Sequence, residues 1–143
     1  RKIMDKTALL DSVANNELLQ FLGVKIEVAE PERVVLTMPV TSKVHQYTGI
    51  MNGGVSVYLA ETAASIGVVA GSDLEKVTPV GIEINANHLR AVSKGIITVE
   101  ATPLHTGRTM SVWKIDITND RGKLVCTSRI TLLIQKRVAY QPE

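Results

Sequence analysis

Glu61 is the residue whose surroundings point most directly to chemistry. It is the only formally charged residue between Val44 and Ser72, and its neighbours are small or apolar. A carboxylate that loses hydration in such surroundings becomes suited to acid–base or nucleophilic work near neutral pH. The structural alternative is that Glu61 faces a polar gap or pairs with a base such as Arg90. Ser65, four residues later, lies on the same helical face but by itself is typical of an ordinary small helix residue.

Two consecutive glycines, Gly53 and Gly54, give the second chemical signal. At the start of a helix the first backbone N–H groups have no acceptor within the helix, and the helix dipole is positive there. Because glycine has no side chain, a substrate oxygen can approach these groups closely. Negative charge that develops on that oxygen would be stabilised, as an oxyanion site requires. Close packing of a helix against a sheet explains a Gly-Gly pair as well.

Other common kinds of site have little support in the sequence. The three histidines, His45, His88 and His105, fall on different expected elements without helical ligand spacing, so we expect no metal site. The chain has no glycine-rich phosphate loop. The single cysteine, Cys126, lies in a strand-like run and cannot form an intrachain disulfide, which favours a packing role and a reducing compartment.

A long central helix must carry both signals. Residues 53–70 are rich in Ala, Val, Ser and Gly, Asn52 can cap the start, and Gly71 can end the helix. A helix that is apolar on all sides is either buried or spans a membrane. The many small residues and a carboxylate near the midpoint argue against the membrane span.

Strand-like runs surround this helix in the sequence. We expect an amphipathic helix over about Thr7–Phe21, and then a hairpin around the turn Glu30-Pro31-Glu32. Short loops between the later runs favour antiparallel pairing. The predicted fold is α+β, with one long helix packed on a six-stranded, mostly antiparallel sheet. The six runs are residues 24–29, 33–40, 80–90, 95–104, 108–118 and 123–135.

Length and composition limit the class of protein. The chain has 143 residues, of which 45% are hydrophobic and 21% charged, and this indicates one globular domain over residues 1–143. A net charge of +2 and 3% aromatic residues give little basis for nucleic-acid binding. No basic and then apolar leader opens the sequence, so we expect a cytoplasmic protein without membrane attachment.

Three stretches resemble motifs of the hotdog-fold acyl-CoA thioesterases. The first, QYTGIMNGG at residues 46–54 with Leu59-Ala60-Glu61-Thr62 after it, is similar to the pattern Q-x-x-G-x-x-H-G-G followed by L-A-E-T. The others are GIEINANHLR at residues 81–90 and PLHTGR at residues 103–108. Together they keep the family's order over roughly Leu18 to Gln135. The nearest branch is the PaaI-type aryl-CoA thioesterases, which includes 1,4-dihydroxy-2-naphthoyl-CoA hydrolases, 4-hydroxybenzoyl-CoA thioesterases and proofreading enzymes of siderophore synthesis.

The resemblance implies both an assembly and an activity. The fold would be a helix wrapped by a curved antiparallel sheet, and two chains would pair into a dimer, with dimers pairing again into a homotetramer. Exposed edge strands of a short sheet agree with such pairing. The activity would be hydrolysis of an acyl-CoA thioester, with CoA as part of the substrate and no metal or redox cofactor.

The same resemblance assigns roles to individual residues. Glu61 is the base or nucleophile, and the Gly53 N–H polarises the thioester oxygen. Gln46 holds the attacking water or the thioester, and Ser65 supports Glu61. Within the substrate-binding set, the histidine of the second motif lines the acyl pocket or reaches the reacting region, the arginines face the CoA phosphates, and the loop of the third motif follows the pantetheine. That set is His88, Arg90, His105, Thr106, Gly107 and Arg108.

Asn52 departs from the family pattern, which has histidine before the two glycines. Asparagine caps a helix and donates a hydrogen bond but does not titrate, so we expect activity to persist at an equal or lower rate. Two alternatives stay open. One is a non-catalytic acyl-CoA-binding domain, which the loss of the histidine would allow. The other is a hotdog enoyl-CoA dehydratase or hydratase, although no histidine accompanies Glu61 on the helix.

Overall fold

Residues 6–137 are described in the computed structural model, and they contain three α-helices and six strands. A short 3₁₀ helix, Ser42–Val44, precedes the longest helix. The elements are α1 (Lys6–Ala14), α2 (Glu17–Leu22), β1 (Lys25–Glu30), β2 (Arg33–Pro39), α3 (Gly53–Ala70), β3 (Val77–His88), β4 (Ile96–Thr106), β5 (Met110–Thr118) and β6 (Leu124–Lys136).

The N-terminal segment contains two helices, so the prediction of a single helix over Thr7–Phe21 is wrong. The reason is Asn16, whose Oδ1 accepts hydrogen bonds from the backbone N–H groups of Leu18 and Leu19 at 3.1 and 3.2 Å. This cap starts α2 and separates it from α1. Gly23 then ends α2 in the left-handed conformation, with φ of 75°.

The six strands form one sheet in the order β1-β2-β4-β5-β6-β3, and every pairing is antiparallel. The predicted α+β architecture is therefore confirmed. β1 and β3 are the edge strands. β3 pairs with β6 from Val77 opposite Lys136 to His88 opposite Cys126, with a bulge between Gly81 and Glu83.

α3 packs one face against the sheet, with the bounds that the sequence predicts. The Asn52 side chain accepts a hydrogen bond from the Gly54 N–H at 2.8 Å and caps the helix. By length and composition α3 could cross a membrane, but half of it is buried in the fold, and this packing accounts for its apolar character. Small residues bring the helix close to the sheet, since a Cβ on Gly67 would overlap the ring of Trp113.

The core lies between α3 and the inner face of the sheet. The alternation of residues 108–118 predicts that Trp113, Ile115 and Ile117 share one face of β5. All three are at most 1% exposed, which confirms that this face points inward. Cys126 of β6 is also fully buried. Burial raises the pKa of its thiol and the nearby Asp116 carboxylate raises it further, which agrees with a packing role.

Candidate active site

A cavity of about 380 Å³ lies at the N-terminal end of α3. Gln46 and Gly53 line it, and so do His88 and Arg90 from the end of β3 and the loop that follows. Residues of the first and second sequence motifs, which are far apart in the chain, therefore share one cavity. We call it the Gly53 cavity.

The Gly53 N–H is a free donor in this cavity. Within residues 6–137 it has no hydrogen-bond acceptor, whereas the next N–H, that of Gly54, is bound by Asn52 Oδ1. His88 covers the same point, because a Cβ on Gly53 would lie 2.8 Å from His88 Nε2. A backbone donor at the positive end of the α3 dipole can bind a carbonyl oxygen and stabilise negative charge on it.

Gln46 lies in a tight turn at the wall of the Gly53 cavity. Its side-chain oxygen accepts a hydrogen bond from the Thr48 N–H, and its backbone N–H donates to the Ile50 carbonyl at 2.8 Å. The oxygen is already bonded, so a ligand can use the NH₂ group of Gln46, which donates hydrogen bonds.

Ser56 is a cavity residue that the sequence reasoning missed. It is 1% exposed, lines the Gly53 cavity, and has no hydrogen-bond partner for its hydroxyl among residues 6–137. No side-chain oxygen or nitrogen in the described residues is both buried and unpartnered, so the Ser56 oxygen is accessible from the cavity, where it can bond to a bound molecule. The usable signal was helical spacing, since Gly53 and Ser56 are neighbours on one face of α3.

Glu61 and Ser65 line a second cavity, of about 420 Å³, on the other side of α3. Its remaining walls are mostly aliphatic and come from α1 and α3. A Cβ on Gly81 would lie 3.0 Å from Glu61 Oε2, so the carboxylate reaches β3. We call this the Glu61 cavity, and its other lining residues are Leu10, Val13, Val57, Tyr58, Thr62, Ile66 and Val69.

Glu61 is exposed in the single chain, so the predicted loss of hydration is wrong for the chain taken alone. The apolar neighbours that prompted the prediction, including Ala60 and Ala64, are fully buried on the side of α3 that faces the sheet. Glu61 lies at the margin of that side, next to the edge strand β3, where its carboxylate is open to solvent. It has no ion-pair or hydrogen-bond partner in the described part of the chain, so the alternative of pairing with Arg90 is also not found.

The Gly53 and Glu61 cavities have no lining residue in common. In the sequence, Gly53 and Glu61 are about two helical turns apart, which predicts that a thioester lying along one face of α3 meets both groups. The structure places Gly53 and Ser56 towards the end of β3, and Glu61 and Ser65 towards α1 and the middle of β3. One chain therefore does not bring the donor and the carboxylate into one cavity.

The third motif lies at the opposite end of α3. Thr106 and Gly107 line a cavity of about 530 Å³ together with Gly71 and other residues near the helix C-terminus. His105 is next to them, because a Cβ on Gly107 would lie 2.7 Å from His105 Nε2. Arg108 is exposed in the turn between β4 and β5. The expected common CoA site of Arg90 and Arg108 is therefore not formed within one chain.

The histidines occupy three separate places. His45 Nε2 lies 2.8 Å from the Ser93 carbonyl oxygen, His88 covers Gly53, and His105 lies beside Gly107. Within residues 6–137, no three His, Cys, Asp or Glu side chains are grouped so as to hold a metal ion.

Known proteins match this sequence and fold over most of the chain. Residues 48–126 match the thioesterase superfamily. The chain is 42% identical over 120 residues to the 1,4-dihydroxy-2-naphthoyl-CoA hydrolase of Listeria monocytogenes. The match covers 84% of this chain and 97% of that protein.

Solved structures of known thioesterases have a similar fold. A thioesterase variant from Pseudomonas aeruginosa, with a glutamine replaced by alanine, has a TM-score of 0.85 and 35% identity, and the match covers 96% of this chain and 98% of that one. Two variants of a thioesterase from Staphylococcus aureus have TM-scores of 0.82 and 0.81 at 39% and 38% identity, and cover 85% and 84% of this chain and 100% and 99% of theirs. One replaces a glutamate and the other a glutamine, each by alanine.

The six-stranded antiparallel sheet around one long helix is thus a hotdog fold, and the chain belongs to the thioesterase superfamily. It is a thioester hydrolase that acts on CoA thioesters, as the sequence motifs predict.

Proposed function

We propose that this chain hydrolyses an aryl-CoA thioester in a site formed by two subunits, with the Gly53 cavity of one and the Glu61 cavity of the other. One observation carries the proposal. The free Gly53 N–H and the unpaired Glu61 carboxylate are the two groups that the reaction needs, and one chain holds them in separate cavities. A second copy of the chain can supply the missing half.

The edge strand β3 is the surface that would join the two copies. It has 12 residues, an unpaired edge, and an apolar side chain, Ile82, that is 56% exposed. Such an edge is a template for pairing with another chain. Antiparallel pairing of two copies about a two-fold axis between Ile84 and Asn85 would set Gly81 of one strand opposite His88 of the other. Since Gly81 touches Glu61 and His88 covers Gly53, the two cavities would meet.

The chemistry in the joined site follows from these groups. The thioester oxygen accepts a hydrogen bond from the Gly53 N–H, which stabilises the negative charge that develops as the carbonyl carbon becomes tetrahedral. Glu61 takes a proton from a water molecule that attacks that carbon, or attacks the carbon itself. When water attacks, the carbon–sulfur bond then breaks, the protonated Glu61 gives its proton to the CoA sulfur, and the acid is the second product. When Glu61 attacks, the same bond breaks to leave a Glu61–acyl anhydride and the CoA thiolate; a water molecule then hydrolyses the anhydride to the acid and the free Glu61 carboxylate, and the proton released goes to the thiolate. These steps call for no metal or redox cofactor.

Gln46, Asn52 and Ser65 have supporting roles in this proposal. The free NH₂ group of Gln46 donates to the attacking water or the thioester. Asn52 caps α3 through its bond to Gly54 and so fixes the direction of the Gly53 N–H. Ser65 lines the Glu61 cavity one turn from the carboxylate and orients it once substrate is bound.

The solved structures of relatives support the assignment of Gln46 and Glu61. The glutamine and the glutamate that were replaced in the two Staphylococcus aureus variants are separated by as many residues as Gln46 and Glu61 are here. In the Pseudomonas aeruginosa structure a glutamine was again the residue replaced.

The acyl group is proposed to be aromatic. The Listeria monocytogenes relative is named for a naphthoyl-CoA substrate. The Glu61 cavity combines aliphatic walls from Val57, Ile66 and Val69 with Tyr58, and such walls bury a flat ring without leaving polar groups unpaired. A CoA thioester as substrate fits the predicted cytoplasmic location.

The test is release of free CoA thiol from a panel of substrates, compared by kcat/KM. We expect 1,4-dihydroxy-2-naphthoyl-CoA and 4-hydroxybenzoyl-CoA to exceed medium-chain acyl-CoA by about tenfold or more, which is the discrimination that one or two buried groups provide. Equal values would remove the aromatic assignment. CoA binding without thiol release would indicate a binding domain, and addition of water to an enoyl-CoA would indicate a hydratase.

A further inference from the structure

A smaller cavity, of about 340 Å³, adjoins the Gly53 cavity. Its walls are residues 90–94, which follow β3, and residues 119–121, in the turn between β5 and β6. Arg90, Ala91 and Val92 line both cavities. A long ligand in the Gly53 cavity would therefore reach the smaller cavity by passing over these three residues.

The lining of this smaller cavity has an excess of positive charge. Three cationic side chains, Arg90, Lys94 and Arg121, line it together with one carboxylate, Asp120. None of these cations is in an ion pair; the ion pairs among residues 6–137 involve other residues, such as Arg33 with Glu100. Cations grouped without paired carboxylates repel one another, and a bound anion relieves that repulsion. Arginine forks fit phosphate oxygens particularly well.

The backbone of both walls is held in place. Asn119 Oδ1 accepts hydrogen bonds from the N–H groups of Arg121 and Lys123, both at 3.0 Å. The other wall is fixed by the Val92 carbonyl, which accepts a bond of 2.7 Å from the Met51 N–H. The two walls touch, because a Cβ on Gly95 would overlap the Asp120 carboxylate. The cations therefore project from a fixed frame.

We propose that Lys94 and Arg121, together with Arg90, bind the phosphate groups of CoA, so that the pantetheine arm runs over residues 90–92 to the thioester at Gly53. The inference rests on the proposed function, since it extends the same substrate beyond the reacting bond. It also replaces Arg108 as a phosphate ligand within the chain, because Arg108 lines neither cavity.

The experiment compares two substrates that carry the same acyl group, an acyl-CoA and the corresponding acyl-pantetheine, which has no phosphate. In the double variant Lys94→Ala/Arg121→Ala, KM for the acyl-CoA should rise by about tenfold or more, because charge-assisted hydrogen bonds are lost. The kcat values for both substrates and KM for acyl-pantetheine should stay at the parental values. Added salt should raise KM for acyl-CoA more in the parent than in the double variant.

The matched control is Lys123→Ala, which removes a neighbouring cation that does not line the cavity. Its KM for acyl-CoA should equal the parental value. An equal rise for both substrates, or an unchanged KM in the double variant, would overturn the phosphate site. If the parent hydrolysed neither substrate, the proposed function would fail. Calorimetry with CoA alone would then still decide, since tighter binding by the parent than by the double variant supports the site and equal binding refutes it.

Discussion

His88 closes over Gly53, with its Nε2 at 2.8 Å from the position that a Cβ on Gly53 would take. This contact joins the end of edge strand β3 to the first residue of α3. In the proposed mechanism the thioester oxygen approaches the Gly53 N–H beside this ring, and the missing side chain of Gly53 leaves room for it.

Gly53→Ala should lower kcat/KM by about tenfold or more, because the added methyl group displaces His88 or the substrate from the N–H donor. The measurement is release of free CoA thiol. His88→Ala and the double variant separate the two causes. If displacement of His88 is responsible, the double variant is no worse than either single one; if the methyl group blocks the thioester itself, the losses add. Parental activity in Gly53→Ala would refute the donor role.

Gly81→Ala should impair catalysis without unfolding the protein. Gly81 has no positive φ, so alanine is compatible with the backbone. Its Cβ would lie 3.0 Å from Glu61 Oε2 and would push the carboxylate aside. Displacement of a catalytic group by about 1 Å can lower kcat by up to about a hundredfold. Steady-state kinetics should show a lower kcat with nearly unchanged Tm, and a parental kcat would show that Glu61 does not act from this position.

Gly67→Ala should destabilise the fold by about 1–3 kcal/mol through overpacking, because its Cβ would overlap the Trp113 ring. Urea unfolding measures the change. Trp113→Phe has a smaller ring that leaves room for the added methyl group. Gly67→Ala should therefore lower the free energy of unfolding by less in the Trp113→Phe background than in the parent. If the two substitutions proved simply additive, the close contact between α3 and β5 would not be the cause.

Asn52 can be tested as a helix cap and as a replacement for histidine. Asn52→Ala should lower the free energy of unfolding by about 0.5–2 kcal/mol, since the bond to the Gly54 N–H is lost, while Asn52→Asp keeps the cap. Asn52→His, which restores the family pattern, should preserve or raise kcat. A loss of more than about tenfold, or 1.4 kcal/mol of barrier, would mean that Asn52 has a role of its own.

Local sequence signals predicted the elements well. Asn52 and Gly71 marked the ends of α3, and alternation on β5 identified the inward face that carries Trp113. The same rules failed where one residue changed the local geometry. Asn16 divided the N-terminal helix. Alternation over residues 80–90 predicts that Ile82 shares a face with Ile84, but the bulge after Gly81 interrupts the alternation and Ile82 is exposed.

The candidate site was less predictable from the sequence. Periodicity shows which residues share one face of a helix or strand, but not which other part of the fold packs against that face. The apolar neighbours of Glu61 in sequence, such as Ala60 and Ala64, are buried, whereas Glu61 itself is exposed at the margin of the buried face. The average polarity of a sequence window does not separate these positions. Lys94 and Arg121 come from loops that are distant in sequence and meet only in the folded chain. No local sequence signal identifies the proposed second subunit, although the long edge strand β3 offers a surface for it.

The central claim is that Gly53 and Glu61 of different subunits form one site, and hybrid assembly tests it most directly. Glu61→Gln alone should lower kcat by at least about a hundredfold, the lower range for loss of proton-transfer catalysis. Glu61→Gln and Gly53→Ala subunits are mixed in equal amounts, dissociated and reassembled, and thiol release is measured. We expect recovery of about a quarter of parental activity, because half of the dimers are hybrids and each hybrid holds one intact site of two. Activity no higher than the average of the two separate variants would contradict it.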